Sequence, residues 1–354
     1  MVTTGDVENV FLKAYDALER GSFDSEIFLD LVRADFSNER ELKDYEELLN
    51  ILIARTQNAI SPWPPVKTDI LKTTVKITDI AEIKPFREGE ICYIPVSKNE
   101  STFIIGDLHG DRESFVKIME KTQFLTKHAD GTRIIALGDY IDRGLHGLNI
   151  IVGLVLLKLF FPEQILLLKG NHEVWEKTDS GKIIPTVSGD NEFIEGWEEL
   201  FSPDTFANLK NFFDDMPAMV FTNNGGLLAH GGIPRPEGDN HDYSFIKSLA
   251  DLNSPKIIKE VLWSDPEDKE TVIITGDTRF SFAKKHFESY MQRIGGSFMI
   301  RGHEPVSQGS RYLFDNKLLT VFSTGGSGAY EGYAEMHPAF VLMDGNGEKY
   351  IFNV

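Results

Sequence analysis

Five short apolar runs in this sequence each end abruptly beside glycine and a residue that can bind a metal ion. The first run, 103–105, is followed by Gly106, Asp107, a leucine, His109 and Gly110. An apolar run bounded by glycine predicts a buried strand that stops at a tight turn. One such ending alone is more often an ordinary strand-to-helix turn than half of a metal site. The repetition of the pattern is therefore the feature that constrains the fold.

The four later endings add carboxylate, amide and imidazole groups: Asp139, Asn171, His172, His230 and His303. In open α/β sheets, ligands bind beyond the carboxyl ends of the strands, so we expect these residues to meet. Oxygen and nitrogen ligands without sulfur suit Mn²⁺, Fe or Zn²⁺. The residues are more than one ion needs. A pair of divalent ions that share a bridging carboxylate is therefore the economical interpretation.

The order of predicted elements indicates the fold class and the domains. After residue 103, strands alternate with helices, which predicts an α/β fold. Residues 74–77 and 272–275 also have β-like patterns. Residues 1–65 show helical periodicity that ends in a proline-rich run, so we expect a helical N-terminal extension at 1–65 and a catalytic domain at 66–354. Core packing is the preferred role for the apolar faces of the extension, and docking of a partner is the alternative.

Charge and cysteine content narrow the classes of function. The net charge of −19 argues against nucleic-acid binding and favours metal cations or basic peptides, although a solvated acidic surface without such a purpose is the simpler explanation. The single cysteine, Cys92, excludes an internal disulfide and a thiolate zinc cluster. Lys98 stands where a thiol phosphatase of the Cys-x5-Arg type would need arginine.

The expected location is the cytoplasm. The first residues lack the pattern of a signal peptide, and the longest apolar stretch, 148–161, is too short to cross a bilayer. We therefore expect a soluble protein without membrane insertion. A bacterial protein delivered into a host cytosol is a further option.

Four motifs, in order, resemble those of the phosphoprotein phosphatase (PPP) family of metallophosphoesterases: Gly106–Gly110, Gly138–Gly144, Gly170–Glu173 and His230–Gly232. A fifth, Leu262–Pro266, resembles a signature of the eukaryotic-type serine/threonine protein phosphatases. The similarity runs from about residue 101 to residue 344. It implies a four-layer α/β/β/α sandwich and hydrolysis of phosphomonoesters on proteins or peptides by a hydroxide bound to two metal ions, most simply Mn²⁺.

The resemblance also implies a role for each motif residue. For the metals, it implies that Asp107 and His109 bind the first ion, that Asp139 bridges both ions, and that Asn171, His230 and His303 hold the second. It further implies that His172 is the general acid oriented by Asp142, and that Arg143, Arg279 and Asn171 contact the substrate phosphate. Without the resemblance, Arg143 could equally be a surface salt-bridge partner. Trp263 and Asp265 could likewise be a packing residue and a turn residue.

Two other functions remain open at this point. One is a nucleotide phosphoesterase, such as a dinucleoside polyphosphate hydrolase, and the other is a catalytically silent scaffold. The loop 323–329 departs from the family pattern, because Ser327 stands where an overhanging tyrosine is usual and Tyr330 lies close enough to replace it. This loop belongs to the expected substrate mouth. The departure therefore concerns selectivity between phosphoserine or phosphothreonine and phosphotyrosine.

Overall fold

Two β-sheets form the middle of the protein in a computed structural model, which describes residues 5–36, 39–60, 62–63, 70–80, 84–128, 131–187, 201–238, 241–275 and 279–354. The five-stranded sheet has the order β16-β15-β3-β4-β5 and contains these strands: β3 (Ser101–Ile105), β4 (Thr132–Ala136), β5 (Ile165–Leu167), β15 (Ala339–Asp344) and β16 (Lys349–Asn353). Strands β3, β4 and β5 are parallel, and β15 and β16 extend the sheet with antiparallel pairing.

The seven-stranded sheet has the order β1-β2-β8-β9-β12-β14-β13. Its strands are β1 (Phe86–Glu88), β2 (Ile91–Ile94), β8 (Met219–Thr222), β9 (Gly226–Ala229), β12 (Phe298–Arg301), β13 (Ser310–Leu313) and β14 (Leu318–Val321). Two short pairs lie outside both sheets: β6 (Trp175–Lys177) with β7 (Ile183–Pro185), and β10 (Asp265–Pro266) with β11 (Ser281–Phe282).

Helices cover the outer face of each sheet. The α-helices are α1 (Gly5–Glu19), α2 (Ser25–Arg33), α3 (Glu39–Ala59), α4 (Ile70–Thr73), α5 (Arg112–Thr122), α6 (Phe124–Lys127), α7 (Gly147–Phe160), α8 (Pro203–Asp214), α9 (Pro255–Trp263) and α10 (Lys284–Ile294). Asp111 caps α5 by accepting a hydrogen bond from the Ser114 N–H at 3.0 Å. No helix among the described residues is both long enough and apolar enough to cross a membrane.

Alternation along the strands separates three large hydrophobic cores. In β4, Ile135 faces the core between the two sheets, whereas Ile134 and Ala136 face the core under helices α1–α3, α5, α7 and α8. A third core lies between the seven-stranded sheet and helices α9 and α10. Because side chains alternate across a strand, each sheet serves two cores. The predicted four-layer α/β/β/α sandwich is confirmed.

The N-terminal helices share a core with the first sheet. Phe11 and Phe28 are buried in the same cluster as Phe115 of α5. Asn149 of α7 donates hydrogen bonds to the Val32 and Ala34 carbonyl oxygens at 2.8 and 2.9 Å. The described apolar faces of these helices therefore pack against the sandwich. The predicted boundary at residue 65 lies outside the described residues.

Two β-like patterns were wrong as strand predictions. Residues 74–76 connect α4 to a 3₁₀ turn at Ile77–Asp79, and Ile77 is buried in the core under the seven-stranded sheet. Residues 272–275 form an irregular loop in which the side chain of Ile273 is 83% exposed. A strand needs a hydrogen-bonding neighbour, and tertiary context overrides the local pattern at both places.

Candidate active site

The carboxyl ends of five strands deliver the sequence-predicted metal ligands to one buried place. Asp107 and His109 follow β3, Asp139 follows β4, Asn171 follows β5, and the two later histidines follow β9 and β12. The exposed fraction of each of these six residues is small: Asp107 0%, His109 2%, Asp139 1%, Asn171 2%, His230 0% and His303 8%. His172, which follows Asn171, is 3% exposed. Polar groups buried this deeply need partners or a bound ion. The convergence expected from the sequence is therefore present.

Asp139 lies at the centre of the site. Its Oδ2 atom is 3.5 Å from His109 Nε2 and 3.3 Å from His230 Nε2, on two different sheets. It belongs to two groups of potential ligands, and within each group the ligand atoms all lie within 4.8 Å of one another. One group is His109, Asp139 and His172, and the other is Asp139, His230 and His303. One carboxylate thus joins two ligand groups, which is the arrangement that a bridged pair of ions requires.

Backbone carbonyl groups orient two of the imidazoles. His109 Nδ1 lies 3.1 Å from the Ile141 oxygen, and His230 Nδ1 lies 3.1 Å from the Leu137 oxygen. A carbonyl oxygen can only accept, so each Nδ1 carries a hydrogen and each Nε2 faces the centre. His230 Nε2 lies 2.9 Å from Asn171 Oδ1 and 3.2 Å from His303 Nδ1. This orientation is typical of histidines that bind metals.

The electrostatics of the cluster suit divalent cations. Oδ2 of Asp107 is buried without a hydrogen-bond partner among the described residues. Burial raises the pKa of Asp107 to about 6 and lowers the pKa of His109 to about 3. Burial alone favours the neutral imidazole but disfavours the ionised carboxylate, whereas a bound cation would favour both. The donor set and the orphaned carboxylate oxygen therefore fit metal ions.

Close backbone approaches explain the glycines in the motifs. A Cβ on Gly170 would lie 2.2 Å from Asp139 Oδ1, and one on Gly302 would lie 2.3 Å from Asp107 Oδ1. The backbone also adopts positive φ at His109, Asp139 and His303, at 41°, 55° and 70°. Non-glycine residues rarely adopt this conformation, and it concentrates at functional sites. The site geometry is thus maintained against a local conformational cost.

His172 and Asp142 form a buried pair beside the cluster. His172 Nδ1 lies 2.7 Å from Asp142 Oδ2, and its Nε2 lies 3.9 Å from Asp139 Oδ2. Burial favours the neutral imidazole, but the carboxylates of Asp139 and Asp142 outweigh it and raise the pKa of His172. An imidazolium oriented in this way can donate a proton from Nε2.

The two arginines expected at the phosphate have different surroundings. Arg143 is partly buried and donates from Nη1 to the hydroxyl of Tyr333. Arg279 is 58% exposed and pairs with Asp265, with Nη2 2.8 Å from Oδ2; residues 276–278 before it lie outside the described residues. Asp265 Oδ1 also lies 2.9 Å from Arg301 Nη2 and 3.7 Å from His303 Nε2. Asp265 therefore links Arg279 to the loop of His303.

Glu173 is a residue whose role the sequence reasoning missed. Its Oε2 accepts hydrogen bonds from the N–H groups of Asp139 at 2.8 Å and Gly170 at 3.0 Å, and its Oε1 accepts one from Tyr140 at 2.9 Å. This side chain, which has no exposed surface, joins the loops after β4 and β5. Its position directly after His172 was the available signal, but the pattern did not reveal which donors it would meet.

We expect Glu173→Gln to lower the free energy of unfolding by about 1–3 kcal/mol, because the amide nitrogen cannot accept and one buried N–H loses its partner. Urea denaturation of the metal-free protein measures this effect. Glu176→Gln, three residues along in exposed β6, is the matched control and should be neutral. Equal stability of both variants would contradict the role given to Glu173.

The aromatic residue over the site is Tyr333, not the predicted Tyr330. The Tyr333 ring stacks on His109 with centroids 5.7 Å apart and planes at 29°, while the Tyr330 ring lies 5.7 Å from Tyr333. A short 3₁₀ turn at Glu331–Tyr333 directs Tyr333 inward. Burial raises the pKa of Tyr333, so the phenol is neutral at ordinary pH. No local sequence signal marks this residue, because the loop departs from the family pattern.

Comparison with known proteins agrees with this geometry. The chain is 27% identical over 250 residues to a probable serine/threonine-protein phosphatase of Encephalitozoon cuniculi, a match that covers 69% of this chain and 50% of that protein. It is 28% identical over 221 residues to the serine/threonine-protein phosphatase 4 catalytic subunit of Saccharomyces cerevisiae, covering 62% of this chain and 68% of the relative. The chain thus spans about half the length of the first relative and two thirds of the second.

A solved structure supports the fold. A protein serine/threonine phosphatase from Saccharomyces cerevisiae superposes with a TM-score of 0.62 at 18% identity, over 87% of this chain and 90% of that chain. The family model described as calcineurin-like phosphoesterase matches residues 101–307, which is more than half of the sequence and includes every strand end that carries a predicted ligand. We conclude that this protein belongs to the calcineurin-like phosphoesterase family.

Proposed function

We propose that the protein is a metal-dependent phosphoprotein phosphatase that hydrolyses phosphomonoesters. The observation that carries the proposal is the position of Asp139 Oδ2 between two ligand groups, with the His172–Asp142 pair and Arg143 beside them. Relatives named as serine/threonine protein phosphatases support a phosphorylated protein or peptide as the substrate. Hydrolysis of phosphoesters is the chemistry of the family as a whole.

The ligand assignments proposed here are those that the family resemblance implies. Asp107, His109 and Asp139 would hold one ion, and Asp139, Asn171, His230 and His303 would hold the other. When bound, the two ions would neutralise charge on the phosphate and lower the pKa of the attacking water. The oxygen and nitrogen donors favour Mn²⁺, with Fe or Zn²⁺ as alternatives. A metal content of two ions per chain, measured by elemental analysis, is the expected result.

The chain's own side chains complete the reaction. Arg143 would bind phosphate oxygens with its planar guanidinium, and Arg279 and Asn171 are assigned the same task. His172 would give the proton on Nε2 to the leaving oxygen, because Asp142 holds Nδ1 and stabilises the imidazolium. The burial of the centre excludes bulk water and strengthens these interactions.

Residues 1–65 are proposed as a structural extension of a catalytic domain at 66–354. The buried residues of α1–α3 pack on the helices of the sandwich, so we infer a supporting role for them instead of partner docking. A cytoplasmic location is proposed because the sequence has a single cysteine, Cys92, and so does not rely on an internal disulfide.

A panel of phosphopeptides containing phosphoserine, phosphothreonine or phosphotyrosine, assayed with Mn²⁺, Fe²⁺ and Zn²⁺, tests the proposed function. We expect at least one phosphopeptide to be hydrolysed faster than a dinucleoside polyphosphate. The reverse order would identify a nucleotide phosphoesterase. No hydrolysis of any substrate, including para-nitrophenyl phosphate, would identify a scaffold.

We expect Arg143→Lys to lower kcat/KM for para-nitrophenyl phosphate by about 10- to 100-fold, because an ammonium cannot replace the two-pronged guanidinium contact. Arg279→Lys should have a smaller effect, since Arg279 is exposed and already paired with Asp265. Steady-state kinetics with metal content as the control decides this. A larger loss in the Arg279 variant would reverse the assignment.

A further inference from the structure

Tyr333 lies on a loop, Gly325–Met336, that closes over the site. Tyr333 is 5% exposed, whereas its neighbours Glu331, Ala334 and Glu335 are exposed. The ends of the loop meet, because a Cβ on Gly325 would lie 2.3 Å from the Met336 carbonyl oxygen. The loop is therefore a compact surface loop with one side chain turned inward.

The Tyr333 hydroxyl accepts a hydrogen bond from the guanidinium that we propose binds the substrate phosphate. Arg143 donates to this hydroxyl from Nη1, and its guanidinium carbon lies 5.4 Å from the Tyr333 ring centroid. The ring also covers His109, a proposed metal ligand. A phosphate that takes its hydrogen bond from Nη1 of Arg143 beside the metal centre would have to take the place of the phenol oxygen.

The loop has little other support. Tyr333 belongs to a small buried cluster with Val306 and Phe322, separate from the three large cores. Backbone hydrogen bonds within the loop include Tyr333 N to the Tyr330 oxygen at 2.8 Å and Met336 N to the Tyr333 oxygen at 2.9 Å. The loop is anchored at its ends, where Gly325 N donates to Asp111 Oδ2 and His337 N donates to the Ser307 oxygen, both at 2.9 Å. Such a unit can open with its internal bonds intact.

We propose that Tyr333 is a specificity-determining gate, whose hydroxyl holds Arg143 in the free enzyme until a substrate phosphate displaces it. The inference rests on the proposed phosphatase function. A phosphate dianion displaces the phenol because a charged acceptor binds guanidinium more strongly than a neutral one. Small phosphoesters must open the loop with the phosphate alone, whereas a phosphoprotein can contribute binding energy from its remaining contacts. The gate thereby favours large substrates.

The test compares Tyr333→Phe with Tyr330→Phe, both in the metal-loaded protein. Tyr333→Phe keeps the stacked ring but removes the competing hydroxyl. We expect its dissociation constant for inorganic phosphate, measured by calorimetry, to fall by about 3- to 30-fold, because more of the protein is competent to bind. KM for para-nitrophenyl phosphate should fall by a similar factor while kcat changes less. Tyr330→Phe should match the unmodified protein.

The outcomes are separable. An unchanged or weaker phosphate affinity in Tyr333→Phe would overturn the gate, and a weaker affinity would make Tyr333 a phosphate-binding residue instead. Loss of the loop structure by the variant is detected as a fall in thermal stability. Tyr333→Leu, which lacks both the hydroxyl and the ring, then tests whether phosphate affinity rises once the loop no longer engages Arg143, and an unchanged affinity there would also overturn the gate. Failure of the proposed function appears differently, as absence of turnover by the unmodified protein, whatever the phosphate affinities are.

Discussion

Asp139→Asn is expected to lose metal and activity together. The amide offers no charge to share between two ions, so we expect fewer than one divalent ion per chain after purification. Activity should fall by about 10³-fold or more, because the bound ions contribute several kcal/mol to stabilising the charge of the transition state. The fold should survive, since the amide hydrogens can point at the Nε2 atoms of His109 and His230, which lie 3.5 and 3.3 Å from Oδ2.

Elemental analysis, calorimetric titration with Mn²⁺ and turnover of para-nitrophenyl phosphate measure this prediction. Asp30→Asn is the matched control, because Asp30 is exposed on α2, a helix that carries none of the site residues. Circular dichroism establishes that both variants are folded. A folded Asp139 variant that retains two ions per chain and ordinary turnover would be incompatible with a bridging carboxylate.

His172→Asn is expected to keep both metals and lose turnover. Removing a general acid lowers kcat by about 10²- to 10⁴-fold. The loss should depend on the leaving group, because an alkoxide from phosphoserine needs the proton whereas para-nitrophenolate does not. We therefore expect a much larger defect with a phosphoserine peptide than with para-nitrophenyl phosphate. Asp142→Asn should have a smaller defect, since the imidazole remains but loses the carboxylate 2.7 Å from Nδ1.

Two results would count against the acid role of His172. Loss of metal from the variant would make His172 a ligand, which its place in the group with His109 and Asp139 allows geometrically. An equal defect for both leaving groups would assign it to binding instead of proton transfer. Metal content and the ratio of the two kcat values thus separate ligand, acid and binding roles.

The α/β class followed from patterns that are local in the chain, whereas the four-layer arrangement was implied by the resemblance to the PPP family. Runs such as Ile104 to Ile105 and Ile134 to Ala136 alternate between two cores, and both faces are apolar, which is typical of strands covered on each side. Local patterns failed at Ile77 and Ile273, where apolar runs had no neighbouring strand with which to pair. The difference is that strand pairing is a long-range condition that a short run cannot encode.

The metal-site motifs were legible for a related physical reason. Gly170 and Gly302 are needed because a Cβ at these positions would lie only 2.2 and 2.3 Å from an aspartate oxygen. Each of these glycines directly precedes a predicted ligand in the sequence. Residue type and spacing along the chain therefore indicated which donors meet. The parallel strands of an α/β sheet then bring the loops together at one edge.

The roles of two residues at the site, Glu173 and Tyr333, were decided by three-dimensional packing alone. Glu173 acquired its role from backbone donors 33 and 34 residues away, and Tyr333 reached Arg143 across 190 residues. Neither partnership leaves a periodic or compositional trace, because a contact between distant residues depends on where the intervening chain turns. Short sequence motifs thus identified the predicted ligands of the centre. Tyr333, which covers the centre, could be identified only from the tertiary structure, in which the loop Gly325–Met336 folds over His109.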